Sequence, residues 1–297
     1  MAELLDPTSA TALSFNRKAF VGIAAGAVGV VSMIESALAQ ATDFGKPHDP
    51  IVAENDPTII AQHVSLKRPD TTIDAYAAYP RSVTATTPGV VIVQAIWGVD
   101  AQLRDIARRY AKAGYMAIAP ALFARTNPPS GDGASDINLF RASAGALKDD
   151  TVAGDLLAGH DWILGKAPKA KIGITGFCMG GSIVLKQVIG STNYAAASMF
   201  YGDVRPGSKR GDPNGPDAFA YTSKITTPLM GSFGAKDTGI VAADVHTMAN
   251  LLKAPHDIKV YDEASHAFFD DTRGAYVAPA AADAWTRTMG WFKTYLT

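Results

Sequence analysis

The sequence predicts an α/β fold, a mostly parallel twisted sheet with helices on both faces. Three observations carry that prediction. Short apolar runs alternate with helical segments from residue 89 to the end, which is the rhythm of βα crossovers in a parallel sheet. One of these runs, 171–175, passes through Gly176-Phe177-Cys178-Met179-Gly180-Gly181 straight into the helical segment 180–189, so it reads as buried strand, sharp turn and helix. Finally Cys178, Asp237 and His266 follow one another in the chain, each just beyond a predicted strand. Open parallel sheets build their sites at that edge.

Each element has its own warrant. Residues 58–66 and 72–79 alternate enough to form two edge strands. Apolar runs then predict strands at 89–94, 116–119, 171–175, 195–200, 228–233 and 258–261. Between and after them lie helical patterns at 101–113, 149–164, 180–189, 241–252 and 279–295. Two stretches rich in glycine, proline and polar residues break the rhythm, at 126–136 and 202–221. Both are expected to flank the C-terminal edge of the sheet, either shaping substrate access or as plain solvated insertions.

The N-terminal segment is of another kind. Asn16-Arg17-Lys18 precedes an Ala/Gly-rich apolar run at 19–31, and Ser36-Ala37-Leu38-Ala39-Gln40-Ala41 offers small-residue cleavage sites. That order is the pattern of an export signal, with Arg17-Lys18 resembling a twin-arginine signal carrying Lys in second place. The run is short and small-residue-rich for a spanning helix. The expected organisation is a signal peptide at 1–41, an extended polar arm at 42–58 and a single domain at 59–297. Cleavage is expected after Ala39 or Ala41, giving a periplasmic or secreted protein without stable membrane association.

The composition narrows the function classes. With 297 residues, 47% hydrophobic and 19% charged, the chain is long enough for a sizeable core. A net charge of −1 argues against a nucleic-acid partner. Neither a phosphate-loop lysine motif nor a His-Glu-x-x-His zinc motif is present, and no metal or other cofactor is expected. Cys178 is the only cysteine, so an intrachain disulfide is excluded and a thiol redox enzyme would lack its resolving partner.

Gly-x-Cys-x-Gly between strand and helix is the layout of a nucleophile elbow, with glycines where a Cβ would clash and cysteine where serine commonly stands. The chain order nucleophile, acid, histidine of elbow enzymes selects Asp237 from Gly234-Ala235-Lys236-Asp237 and His266 from Asp262-Glu263-Ala264-Ser265-His266. Asp262 and Glu263 compete with Asp237 for the acid role. A free thiol is mostly protonated at neutral pH. Two features favour its anion here, the helix N-terminus at the elbow and a histidine able to keep the proton. The expected chemistry is attack on an ester carbonyl, a thioacyl-enzyme, and hydrolysis with His266 as base. The amide of Met179, the residue after the nucleophile, is one expected oxyanion donor.

These segments resemble the dienelactone hydrolase family (carboxymethylenebutenolidase-like) of the α/β-hydrolase superfamily. The resemblance is carried by 90–100 around Gln94-Ala95-Ile96-Trp97-Gly98, by 111–120, and by the elbow 176–181. It continues through Gly234-Ala235-Lys236-Asp237 and Tyr261-Asp262-Glu263-Ala264-Ser265-His266-Ala267-Phe268, covering about residues 60–297. It implies the α/β-hydrolase fold, hydrolysis of esters or lactones by a Cys-His-Asp triad, and Ile96 as the second oxyanion amide. It also implies that Tyr201 lines the pocket. Trp97 and Phe268 are further candidate walls.

Two departures are visible. Dienelactone-cleaving members of the family carry Glu where this chain has Ala95, and an arginine four residues beyond the catalytic histidine, where this chain has Asp270. A second family arginine aligns near Ile137, one helical turn from Arg141. The carboxylate clamp is therefore expected to be lost, or rebuilt around Arg141. Without a carboxylate at 95, a thiolate–imidazolium pair is expected in the free enzyme, making Cys178 alkylate faster than a simple thiol at about pH 6. The partner expected is a small-molecule ester or lactone, and the protein is expected to be monomeric. Two other readings are a non-enzymatic binder on a hydrolase scaffold, which would predict a broken triad, and a thioesterase or acyltransferase of the same fold.

Overall fold

The structure, a computed structural model, describes residues 50–189, 191–205 and 219–297. The predicted signal at 1–41, residues 42–49 of the predicted arm and much of the 202–221 loop lie outside the described residues. Among the described residues no helix is long and apolar enough to cross a membrane.

Eight strands form one sheet: β1 (Ile59–Lys67), β2 (Thr72–Pro80), β3 (Gly89–Val93), β4 (Met116–Pro120), β5 (Ile172–Phe177), β6 (Ala196–Phe200), β7 (Leu229–Gly234) and β8 (His256–Tyr261). Their spatial order is β1-β2-β4-β3-β5-β6-β7-β8. β1 and β2 pair antiparallel, as do β2 and β4; every other neighbour is parallel. Only β1 of the first two strands is an edge. β2 is covered on its other side by β4, and its buried run from Ala75 to Tyr79 fits an interior position.

The helices are α1 (Ala101–Lys112), α2 (Asn138–Gly145), α3 (Asp149–Lys166), α4 (Met179–Gln187), α5 (Ala242–Leu251) and α6 (Ala278–Leu296). They divide the apolar core into two layers. Leu103, Ile106 and Tyr110 of α1 pack with Trp285 and Phe292 of α6 on one face of the sheet. Val152, Leu156 and Ile163 of α3, Val184 and Leu185 of α4, and Val245 and Met248 of α5 cover the other. Strands β3 to β7 are buried throughout their lengths, which is why they read as continuous apolar runs rather than alternating ones.

Helix α2 has no counterpart among the predicted elements. It is eight residues long, its N-cap makes no side-chain hydrogen bond, and only Phe140 and Ser143 are buried. Those two residues are three apart, too few for a periodic signal. The described end of the arm is anchored rather than free. The Ile51 and Val52 amides donate to the two oxygens of Asp105 at 2.9 Å each, and Arg108 Nε donates to Val52 O at 2.6 Å.

Candidate active site

Cys178 stands between β5 and α4 with φ +54° and ψ −117°. A non-glycine residue at positive φ is strained, and such strain persists only where the surroundings over-determine it. They do so here. Its amide donates to Phe200 O on the neighbouring β6 at 3.0 Å, and its carbonyl accepts from Ser182 N at 3.2 Å. Two glycines allow the close approach behind it. A Cβ on Gly180 would strike the Val93 carbonyl and stand 2.6 Å from Gln94 O, and one on Gly181 would stand 2.6 Å from Phe200 O. The elbow is thus pressed against the ends of β3 and β6, with Cys178 at the first turn of a helix whose dipole favours an anion.

Asp237 follows β7. The Ala235 amide donates to Tyr261 O and the Lys236 amide to Ala264 O, both at 2.9 Å, tying this loop to the one that carries His266. Asp237 Oδ1 accepts from the Gly239 amide at 2.8 Å and the Ile240 amide at 3.1 Å, which leaves Oδ2 aimed at the ring. His266 Nδ1 lies 2.7 Å from Asp237 Oδ2, and His266 Nε2 lies 3.0 Å from Cys178 Sγ. All three sequence-predicted residues meet in one line. The competing acids Asp262 and Glu263 are exposed and make no such contact.

Electrostatics follow from that line. Burial alone would lower the His266 pKa. The Asp237 hydrogen bond, the Cys178 hydrogen bond and the charges of both outweigh it and push the value up to about 10. Burial works the other way on Asp237, but His266 and the two backbone amides hold its carboxyl below the usual range.

Ile96 sits in the turn after β3, closed by Gly98 N to Ala95 O at 3.2 Å. The close contact of Gly180 with Val93 and Gln94 sets this turn beside the elbow. Neither the Ile96 nor the Met179 amide has an acceptor among the described residues. Tyr201 directly follows β6 at φ +38°, is buried, and makes a T-shaped contact with the His266 ring at 5.2 Å. Trp97 is half-buried and lies roughly perpendicular to Phe140 at 5.4 Å between centroids.

Tyr201 and the other two pocket candidates do not form walls. Tyr201 and Phe268 are both fully buried, with Phe268 packed behind Tyr201 and against Tyr261, so both support the site from the core and offer no surface to a ligand. Arg141 is exposed on α2, with no ion pair among the described residues.

Sequence reasoning missed a charged cluster beside the site. Asp270 is buried and accepts from Arg273 Nε at 3.1 Å; Arg273 Nη2 lies 3.8 Å from Asp100 Oδ2. Burial and the nearby Asp270 push the Asp100 carboxyl up to about 7, against the pull of the Leu103 amide and Arg273. Asp100 was readable as a helix N-cap, since it precedes the first turn of α1 and accepts from Leu103 N at 3.0 Å. Arg273 carried only its spacing of three from Asp270. Among the described residues no group of three or more His, Cys, Asp or Glu is placed to hold a metal ion.

A largely parallel sheet with a strained residue on the strand-to-helix turn at its C-terminal edge defines an α/β-hydrolase. The chain belongs to the dienelactone hydrolase family, whose model matches residues 73–296. It is 34% identical over 249 residues to an Escherichia coli (strain K12) protein named "Putative carboxymethylenebutenolidase", covering 82% of this chain and 91% of that one. A protein of the same name from Synechocystis sp. is 36% identical over 242 residues, 78% of this chain and 96% of its own. A crystal structure from Klebsiella pneumoniae described as a "Putative Dienelactone Hydrolase" superimposes with a TM-score of 0.71 at 33% identity, covering 80% of this chain and 99% of that one. Membership makes the chain a dienelactone hydrolase-like carboxylic ester hydrolase, with small-molecule esters or lactones as its substrate class.

Proposed function

We propose that the enzyme cleaves a carboxylic ester or lactone by passing the acyl group to Cys178 and then to water. The observation that carries this reading is the unbroken line from Cys178 Sγ to His266 Nε2 at 3.0 Å and from His266 Nδ1 to Asp237 Oδ2 at 2.7 Å. His266 takes the thiol proton and Sγ attacks the carbonyl carbon. The carbonyl oxygen carries the developing charge toward the Met179 and Ile96 amides, donors of a kind worth about 3 kcal/mol each. As the intermediate collapses, the C–O bond breaks and the leaving alkoxide, a ring oxygen in a lactone, takes the proton from the imidazolium. Water then attacks the thioester with Nε2 accepting its proton, the C–S bond breaks, and the acid departs. Asp237 accepts from Nδ1–H throughout, fixing the ring and offsetting its charge.

A neutral ester suits the site better than an acidic lactone. Asp270 occupies the position of a family arginine, Arg141 is exposed, and Arg273 is already shared between Asp270 and Asp100. The pattern of residues 16–41 supports export before the enzyme acts. The test is kcat/KM on a dienelactone and on a neutral short-chain aryl ester in one assay. We expect preference for the neutral ester; preference for the dienelactone would overturn this assignment and restore a clamp for its carboxylate.

A further inference from the structure

Arg273 stands outside the line of Cys178, His266 and Asp237, yet its guanidinium joins three segments around it. Cζ lies 3.8 Å from the centroid of the Trp97 ring, a stacked contact. Nη1 donates to Ala134 O of the 126–136 loop at 2.6 Å. Nε donates to Asp270 Oδ2 at 3.1 Å, while Asp270 Oδ1 accepts from the Thr272 amide at 3.1 Å and hydroxyl at 2.6 Å. The Asp270 amide in turn donates to the carbonyl of Ala267, the residue that follows His266 and holds φ +62°. On the other side Trp97 follows Ile96 directly, and Phe140 packs roughly perpendicular to its ring.

A guanidinium suits this junction. It is planar and permanently charged, so it lies against an aromatic face while its N–H groups fan out in its own plane. An ammonium makes the charge contact without the plane or the fork. Around Trp97 the main chain is tied by the narrow turn from Ala95 to Gly98 and, beyond it, by Arg104 Nη1 donating to Val99 O at 2.9 Å. The Trp97 side chain itself is held by Arg273 over its face and by Phe140 set roughly perpendicular to its ring.

We propose that Arg273 is a positioning residue for ester cleavage: by clamping Trp97 to the loop that carries His266, it fixes the Ile96 amide relative to the elbow. This rests on the reading of Cys178 as nucleophile and Ile96 as oxyanion donor. The clamp acts on where the amide points, not on the reactivity of the thiol. Misplacing a catalytic group by about 1 Å costs up to roughly 10²-fold.

The test compares Arg273→Ala and Arg273→Lys with the native enzyme on a neutral aryl ester, alongside iodoacetamide alkylation of Cys178 and thermal unfolding. We expect Arg273→Ala to lose about 10- to 100-fold in kcat, with KM and the alkylation rate each within about threefold. Methylguanidinium added to Arg273→Ala should restore part of the lost kcat, and Arg273→Lys should remain impaired. In a Trp97→Ala background, removing Arg273 should cost less than about threefold more, because the two act as one unit. A kcat within twofold of native, alkylation that falls in step with kcat, or full activity in Arg273→Lys would each overturn the proposal. Should Arg273→Ala not fold, the lysine variant and its alkylation rate decide the matter. Cys178→Ala run in parallel separates the two readings: undiminished turnover there sinks the nucleophile assignment whatever Arg273 does.

Discussion

The elbow and the loop after His266 meet at one atom pair, Sγ and Nε2, but they are built by different forces. The elbow is a matter of backbone sterics. Cys178 holds its positive φ because β5 is buried, Gly180 and Gly181 touch neighbouring carbonyls, and the amide of Cys178 is bonded across to β6. The His266 loop is a matter of side chains. Asp237 orients the ring, Tyr201 makes a T-shaped contact with it, and Asp270 with Arg273 carries the chain on to α6. Damage to the backbone contacts of the first region should appear as lost folding and damage to the side chains of the second as lost chemistry. The proposed nucleophile is set by backbone contact and placed by the fold itself, whereas the proposed base is placed by a handful of polar contacts and can be tuned without unfolding the protein.

The largest expected effect lies on the loop side. His266→Ala should lower kcat/KM on the order of 10⁴-fold, the scale on which members of such a unit act, while the thermal midpoint measured near pH 10.5 moves little. A loss below tenfold in steady-state assays would break the comparison at its functional end. Next, Gly180→Ala drives a Cβ into backbone that has no rotamer to yield. Overpacking costs typically 1–3 kcal/mol and occasionally more, so a destabilisation of about 3 kcal/mol is expected in urea unfolding. A variant as stable as the native protein would show that the elbow is not held by contact.

Further effects sharpen the division. Asp237→Asn keeps the geometry but no longer offsets the imidazolium, and its amide can hold the ring in the wrong tautomer, so kcat/KM should fall by up to about 10⁴-fold. The pH at which the ring loses its proton should also drop from about 10. A ring titration by NMR that stays near 10 in this variant would contradict that cause. The smallest signal is in stability against pH. His266 is raised above its ordinary value of about 6.5, so the native state binds the proton more tightly. The stability this confers is fully present below about pH 6.5 and is lost as pH rises through about 10. Urea midpoints of native enzyme and His266→Gln should therefore differ most at pH 6 and converge by about pH 10.5. A gap that widens with pH would reverse the sign and the argument with it.

Much of this was legible in the chain because period and punctuation carry it. The buried strands β3 to β7 announced themselves as apolar runs, and the ends of β5, β7 and β8 pointed to Cys178, Asp237 and His266. Other features had no sequence signal of that kind. Helix α2 is too short and too sparsely buried to show a period. β2 alternates like an edge strand and is interior because β4 pairs with it, a fact of topology. Phe268 stood in the matching segment like a wall residue, but the chain's turn through Ala267 sends it into the core. Arg141 drew notice through its place near Ile137, whereas Arg273 looked plain. Only the meeting of three loops distinguishes the exposed one from the one stacked on Trp97.

The measurement that tests the central claim most directly is steady-state hydrolysis of a neutral aryl ester by Cys178→Ala and by native enzyme alkylated at Cys178. The account predicts that both lose kcat/KM on the order of 10⁴-fold, with unfolding midpoints near the native value. Turnover within tenfold of native in either protein would show that some other group opens the ester, and that the line through His266 serves the fold instead.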